Sequence, residues 1–141
     1  MDKKNIISTM IEQHRTLQKE VGAVIELLQG EKIEAEKIAQ GLEQFKKDLV
    51  EHLELENETF YPELLKEMKV KGQDTTKTEQ FVAEMKDIEK VVVAFLEKYK
   101  NSMSVEEKIN EFKEELPKIG DTLVLRIESE EAGVYSYWGL F

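Results

Sequence analysis

The sequence predicts an all-α protein, an up-down antiparallel four-helix bundle, and three observations lead there. Four segments carry apolar residues at alternating three- and four-residue steps, the period of a helix face turned toward a core. No segment alternates with the period of two that marks a half-buried strand. The connections between segments are short, which favours antiparallel neighbours.

The first segment runs from about Asn5 to Leu28 and stops at Gln29-Gly30. Its stripe is Ile7, Met10, His14, Leu17, Val21, Ile25 and Leu28. The second begins near Ile33 and reaches about Val70, where Lys71-Gly72-Gln73-Asp74 supplies a loop. Its stripe reads Ile38, Leu42, Phe45, Leu49, His52, Glu56 and Phe60. Gly41 weakens this helix, and Pro62 is expected to kink or end it, because proline removes a backbone donor and crowds the preceding turn. The third opens at a capping box, Thr76 with Glu79, and buries Phe81, Met85, Ile88, Val92, Phe95 and Tyr99. The fourth repeats the device with Ser104 and Glu107. Its face carries Val105, Ile109, Phe112, Leu116, Ile119 and Leu123, then Arg126 and Glu130, with a bend expected at Pro117 and Gly120.

Composition narrows the function. At 141 residues the chain is expected to form one domain over 1–141, burying roughly two thirds of its unfolded surface. The absence of cysteine excludes disulfides, thiolate metal sites and cysteine nucleophiles, and fits a cytoplasmic location. Amphipathic sequence follows Met1-Asp2-Lys3-Lys4-Asn5 in place of a signal-peptide core, and no apolar run reaches membrane-spanning length, so no membrane partner is expected. A formal charge of −10 opposes the electrostatics that drive nucleic-acid binding. The charges are interspersed along the periodic segments, as on solvated helix faces. No Ser-His-Asp order and no glycine-rich phosphate loop is present, so an enzyme is not expected.

The polar residues that interrupt the stripes carry the chemistry. His14 comes from the first helix, His52 and Glu56 from the second, and Arg126 and Glu130 from the fourth. Desolvating an ionised carboxylate costs several kcal/mol or more unless a charge or strong hydrogen bonds meet it, so His52 and Glu56, one turn apart on a core face, require a metal ion or an opposing charge. Imidazole with carboxylate suits iron, manganese or zinc better than calcium. The spacing His-x-x-x-Glu is common in charged helices, and its place on the stripe is what gives it weight.

The run His52-Leu53-Glu54-Leu55-Glu56-Asn57-Glu58-Thr59-Phe60-Tyr61-Pro62-Glu63-Leu64 resembles the second-helix motif of the hemerythrin-like, or HHE, cation-binding domains. The resemblance extends to chain length, to the order of four helices, to His14 in the first, and to Arg126-Ile127-Glu128-Ser129-Glu130-Glu131 in the fourth. It implies a family in which five histidines and two bridging carboxylates hold a di-iron centre that binds dioxygen or reports on iron and oxygen. It also implies that His14, His52, Glu56 and Glu130 are the metal ligands here.

The departures are informative. Arg126 stands where the fourth-helix motif has histidine, and aligning Glu84-Met85-Lys86-Asp87-Ile88 with the third-helix motif places Met85 and Phe81 at the other two histidine positions. All three losses belong to one iron. The residues leave two readings open. In one, the retained half binds a single iron, manganese or zinc ion for sensing or storage, with dioxygen or another small molecule as a further ligand. In the other, Arg126 bridges Glu56 and Glu130 and neutralises a cage that holds no metal, as a regulatory or interaction protein. Glu130 and Glu131 compete for the inward position, and the stripe favours Glu130. Met85 and Phe81 are expected to fill core. The aromatic ending Val134-Tyr135-Ser136-Tyr137-Trp138-Gly139-Leu140-Phe141 is expected to pack over the open end of the bundle, or else to offer a surface for a protein partner or self-association.

Overall fold

The computed structural model describes residues 3–138, with side chains described from Asn5 onward. Among them the chain is all helical and contains no strand. Helix α1 spans Lys3–Leu27, α2 Ala35–Leu55, α3 Tyr61–Val70, α4 Thr76–Lys98, α5 Ser102–Glu107, α6 Ile109–Ala132 and α7 Val134–Trp138. A π turn over Glu56–Phe60 joins α2 to α3 without a break. No helix among the described residues is long and apolar enough to cross a membrane.

Pro62 neither ends nor interrupts the second stretch. It falls in the first turn of α3, just after the π turn, in which the Tyr61 amide bonds the Glu56 carbonyl five residues back. The widened turn, with its five-residue step, accommodates the missing proline donor inside the continuous stretch. The fourth stretch likewise runs through Pro117, and its interruptions fall at Lys108 and Gly133. Both predicted capping boxes are replaced by different caps. Asp74 Oδ1 accepts from the amide and hydroxyl of Thr76, at 2.9 and 2.6 Å, and Asn101 Oδ1 accepts from the Ser104 amide at 2.8 Å. In both, a side-chain oxygen accepts from an otherwise free amide of the first turn, as a helix cap does.

The core divides in two. One cluster contains Leu17, Ile38, Phe45, Phe95, Tyr99, Phe112 and Leu116, and the other Met10, Phe60, Tyr61, Leu64, Val134, Tyr135 and Trp138. Along α1, α2 and α6 the changeover between clusters falls at the same residues: His14, His52 with Glu56, and Arg126 with Glu130. The stripes therefore hold a polar layer between two apolar ones. Helices α1 and α2 approach closely at Gly41, where a Cβ would stand 2.8 Å from Val24 Cγ2. The aromatic terminus packs inward as far as Trp138, whose ring lies 5.2 Å from that of Phe60. Gly139, Leu140 and Phe141, like Met1 and Asp2, lie outside the described residues.

Candidate metal centre

The polar layer is buried. His14, His52, Glu56, Arg126 and Glu130 are each at most 4 % exposed. Their helices supply them from three directions: α1 brings His14, the end of α2 and the π turn bring His52 and Glu56, and α6 brings Arg126 and Glu130.

Both imidazoles are oriented from outside. His14 Nδ1 lies 2.8 Å from Glu131 Oε2, and His52 Nδ1 lies 2.8 Å from Gln13 Oε1. A carboxylate and an amide oxygen only accept, so in each ring Nδ1 carries the proton and Nε2 presents a bare lone pair. Burial pushes the Glu131 carboxyl up, but hydrogen bonds from His14 and Arg15 outweigh it and hold the group below its ordinary range. His14 itself is pushed down, chiefly by burial, which favours its neutral form.

The two lone pairs face each other, with His14 Nε2 and His52 Nε2 3.1 Å apart. Glu56 Oε2 is 3.4 Å from His52 Nε2, and Glu130 Oε1 is 3.2 Å from His14 Nε2. Four acceptor atoms thus converge with little to donate between them. Glu130 Oε1 has no hydrogen-bond partner, with His14 Nε2 at 3.2 Å and Arg126 Nε no nearer than 3.5 Å.

Three groups wall this cluster. Arg126 Nη2 donates to Glu56 Oε1 at 2.5 Å, its Nε lies 3.5 Å from Glu130 Oε1, and its Nη1 donates to the Met85 carbonyl at 3.3 Å. Tyr61 donates to Glu130 Oε2 at 2.8 Å, and Tyr135 to Glu56 Oε2 at 2.9 Å. Burial favours the neutral form of Glu56, but hydrogen bonding to Glu130 and the charge of Arg126 help to overcome it, holding the carboxyl well below its usual range. Glu130 moves the other way, raised by burial and by the Glu56 charge beside it.

The donor set fits a cation. One ligand atom from each of His14, His52, Glu56 and Glu130 lies within 4.8 Å of the others. Bonds of about 2.1 Å to a common ion place neighbouring donors roughly 3.0–3.4 Å apart, for angles between square and tetrahedral. The contacts of 3.1, 3.2 and 3.4 Å fall in that range. Two imidazoles with two carboxylates can hold iron, manganese or zinc. The partners on Nδ1 are the outer contacts that fix ring orientation and raise ligand basicity in such sites.

All four residues singled out from the sequence as ligands meet here, and Arg126 reaches both carboxylates. Glu130 and Glu131 do not compete, since Glu130 faces the cage while Glu131 grips His14 from behind. Met85 is buried and Phe81 is half-buried, packed against the aromatic cluster. Sequence reasoning missed Gln13, Tyr61 and Tyr135 as parts of the site. Tyr61 and Tyr135 had a legible signal in their aromatic runs, whereas Gln13 sits on a helix flank and had none.

The chain matches the family model of the hemerythrin HHE cation-binding domain over residues 5–138. No curated protein and no solved structure matches it.

Proposed function

The chain belongs to the hemerythrin HHE cation-binding family, and from that membership we propose a metal-binding protein with a degenerate di-iron centre, holding one ion for iron or oxygen sensing or for storage. The observation that carries this reading is the meeting of His14 Nε2, His52 Nε2, Glu56 Oε2 and Glu130 Oε1 with too few protons to satisfy them. His14, His52, Glu56 and Glu130 are the proposed ligands, and iron is the proposed ion, with manganese and zinc compatible with the same donors. Bound there, such an ion supplies Lewis acidity and, if iron, a one-electron redox couple. The residues around it hold the imidazole tautomers through Glu131 and Gln13, exclude water, and place Arg126 where a second ion would otherwise balance the carboxylates. Reversible dioxygen carriage needs two irons sharing the redox change, so the reading excludes it. The protein is not an enzyme on this reading, and it works as one cytoplasmic domain.

The same reading takes the helices as an up-down antiparallel bundle of four long stretches. Cross-contacts support it, because in each neighbouring pair one residue number falls as the other rises. His14 meets His52 while Val24 meets Gly41; Lys46 meets Glu97 while Asn57 meets Glu89; Met85 meets Arg126 while Lys98 meets Glu115.

A second reading has its own support in the 2.5 Å contact between Arg126 and Glu56 and in the 3.5 Å approach of Arg126 Nε to Glu130. On that reading the cage is self-neutralised and metal-free, in a regulatory or protein-interaction bundle. Elemental analysis of native protein purified without chelator or metal-affinity tag separates the two. The metal-binding reading expects about one iron, manganese or zinc per chain, and a melting temperature that rises when the metal is restored, since a ligand at a hundredfold its Kd adds about 2.7 kcal/mol. Protein that stays metal-free after incubation with Fe(II), Mn(II) and Zn(II) sinks the first reading, and two tightly bound irons sink both.

A further inference from the structure

We infer that Tyr135 is a fifth ligand of this centre, its phenolate oxygen joining His14, His52, Glu56 and Glu130 when the bound ion is ferric iron. The inference rests on the metal-binding reading above and goes beyond it by adding a ligand and an oxidation state.

The geometry of the hydroxyl is that of a ligand atom. It lies 2.9 Å from Glu56 Oε2 and 3.2 Å from His14 Nε2, two atoms of the donor set. These distances fall within or close to the roughly 3.0–3.4 Å expected between neighbouring donors on one ion. Tyr61 differs, because its hydroxyl meets Glu130 at Oε2, whereas Oε1 of the same carboxylate faces His14. The Tyr135 ring is held in place on two sides, stacked on His14 with centroids 5.4 Å apart and edge-on to Phe60 at 5.1 Å. The hydroxyl gives its one proton to Glu56, and its oxygen stands beside the His14 Nε2 lone pair with no second proton to offer it.

The charge of the ion decides how strongly the oxygen is drawn in. Arg126 offsets one of the two carboxylates, so a divalent ion leaves the buried cage with one net positive charge and a trivalent ion leaves two. Uncompensated charge is expensive in a buried site. Loss of the Tyr135 proton to solvent as the iron–oxygen bond forms removes one charge, and a hard anionic oxygen is a suitable ligand for ferric iron, as in tyrosine-ligated haem. Zn(II), a borderline-soft divalent ion, gains less from a hard anionic oxygen, so Tyr135 favours the trivalent ion.

The test loads wild type, Tyr135→Phe and Tyr61→Phe with Fe(II) anaerobically, then oxidises with one equivalent of ferricyanide per iron. Iron per chain, the visible spectrum and resonance Raman scattering are read together, with Zn(II) affinity as a parallel measurement. Wild type and Tyr61→Phe should show a visible phenolate-to-iron charge-transfer band with tyrosine ring modes enhanced under it. Tyr135→Phe, which keeps the ring packing, should lose the band and at least tenfold in ferric affinity, while its Zn(II) affinity changes less than threefold. One iron per wild-type chain without phenolate modes overturns the Tyr135 ligand and leaves the metal-binding reading standing. A band that survives Tyr135→Phe, or that vanishes in Tyr61→Phe alone, also overturns it. A wild type that binds no iron overturns both. The Raman result on wild type stands even if a variant fails to fold.

Discussion

Arg126 is the residue on which the two readings turn. Its side chain is buried, and its neighbours are two carboxylates and a backbone carbonyl. Burial works against its charge, but Glu130 and Glu56 more than restore it, raising the guanidinium above its ordinary range. Arg126→Ala should therefore strand Glu56 and cost about 3–5 kcal/mol, read by chemical denaturation of metal-free protein. Added Zn(II) should recover part of that loss, since the freed carboxylates then have another cation. A variant as stable as wild type would mean that the 2.5 Å contact contributes nothing. Glu20 behaves in the opposite sense. Burial, with Asp48 beside it, pushes its carboxyl up to about 7 from 4.5. A folded pKa above the unfolded one means that the associated stability is complete below about 4.5 and is lost as pH rises through about 7. Glu20→Gln should match the wild-type melting temperature near about pH 4 and exceed it near about pH 8. An equal difference at both pH values would show that ionisation of Glu20 is not the cause.

Helix α7 shows how a short element completes the site. Only Gly133 separates it from α6, and a Cβ there would stand 2.7 Å from the Ser129 carbonyl oxygen, which accepts the Gly133 amide at 2.9 Å. Backbone cannot yield as a side-chain tip can, so Gly133→Ala should swing α7 away and withdraw Tyr135 from Glu56. Trp138, the only tryptophan in the chain and buried at 6 % exposure, reports the movement. Its emission should shift to the red while helical circular dichroism changes little; unchanged emission would show that the turn absorbs the methyl group. At this scale the sequence was legible where periodicity ruled and misleading where local chemistry competed. The stripes of α2 and α6 place the expected residues inside, whereas in α1 Ile6 and Val24 are buried and the expected Ile7 and Ile25 only half-buried, and Asp74 and Asn101 displaced the two predicted hydroxyl caps. Pro62 was absorbed by a π turn, whose five-residue step no apolar period announces.

On the proposed reading, one half of the centre retains its ligands while the other is taken by Arg126, whose guanidinium bonds the Met85 carbonyl. Restoring the lost imidazoles by Phe81→His, Met85→His and Arg126→His tests whether these positions converge. Two helices must deliver all three rings, so the iron bound per chain should rise from about one toward two after reconstitution with Fe(II) and air. A folded triple variant with no added iron would place the third and fourth helices in a different alignment. The sequence by itself determined the helical class and the inward direction of His14, His52, Glu56, Arg126 and Glu130, because a 3.6-residue period states on which side of its own helix a residue leaves. It did not determine the partners. Tyr61 reaches Glu130 across 69 residues, Tyr135 reaches Glu56 across 79 and His14 across 121. Those contacts depend on how far each helix slides and turns against its neighbours, a matter of tenths of an ångström that side-chain packing sets and apolar spacing leaves free. Only the tertiary structure could therefore decide that Glu130 enters the cage while Glu131 grips His14 from outside, and that two tyrosines complete the wall.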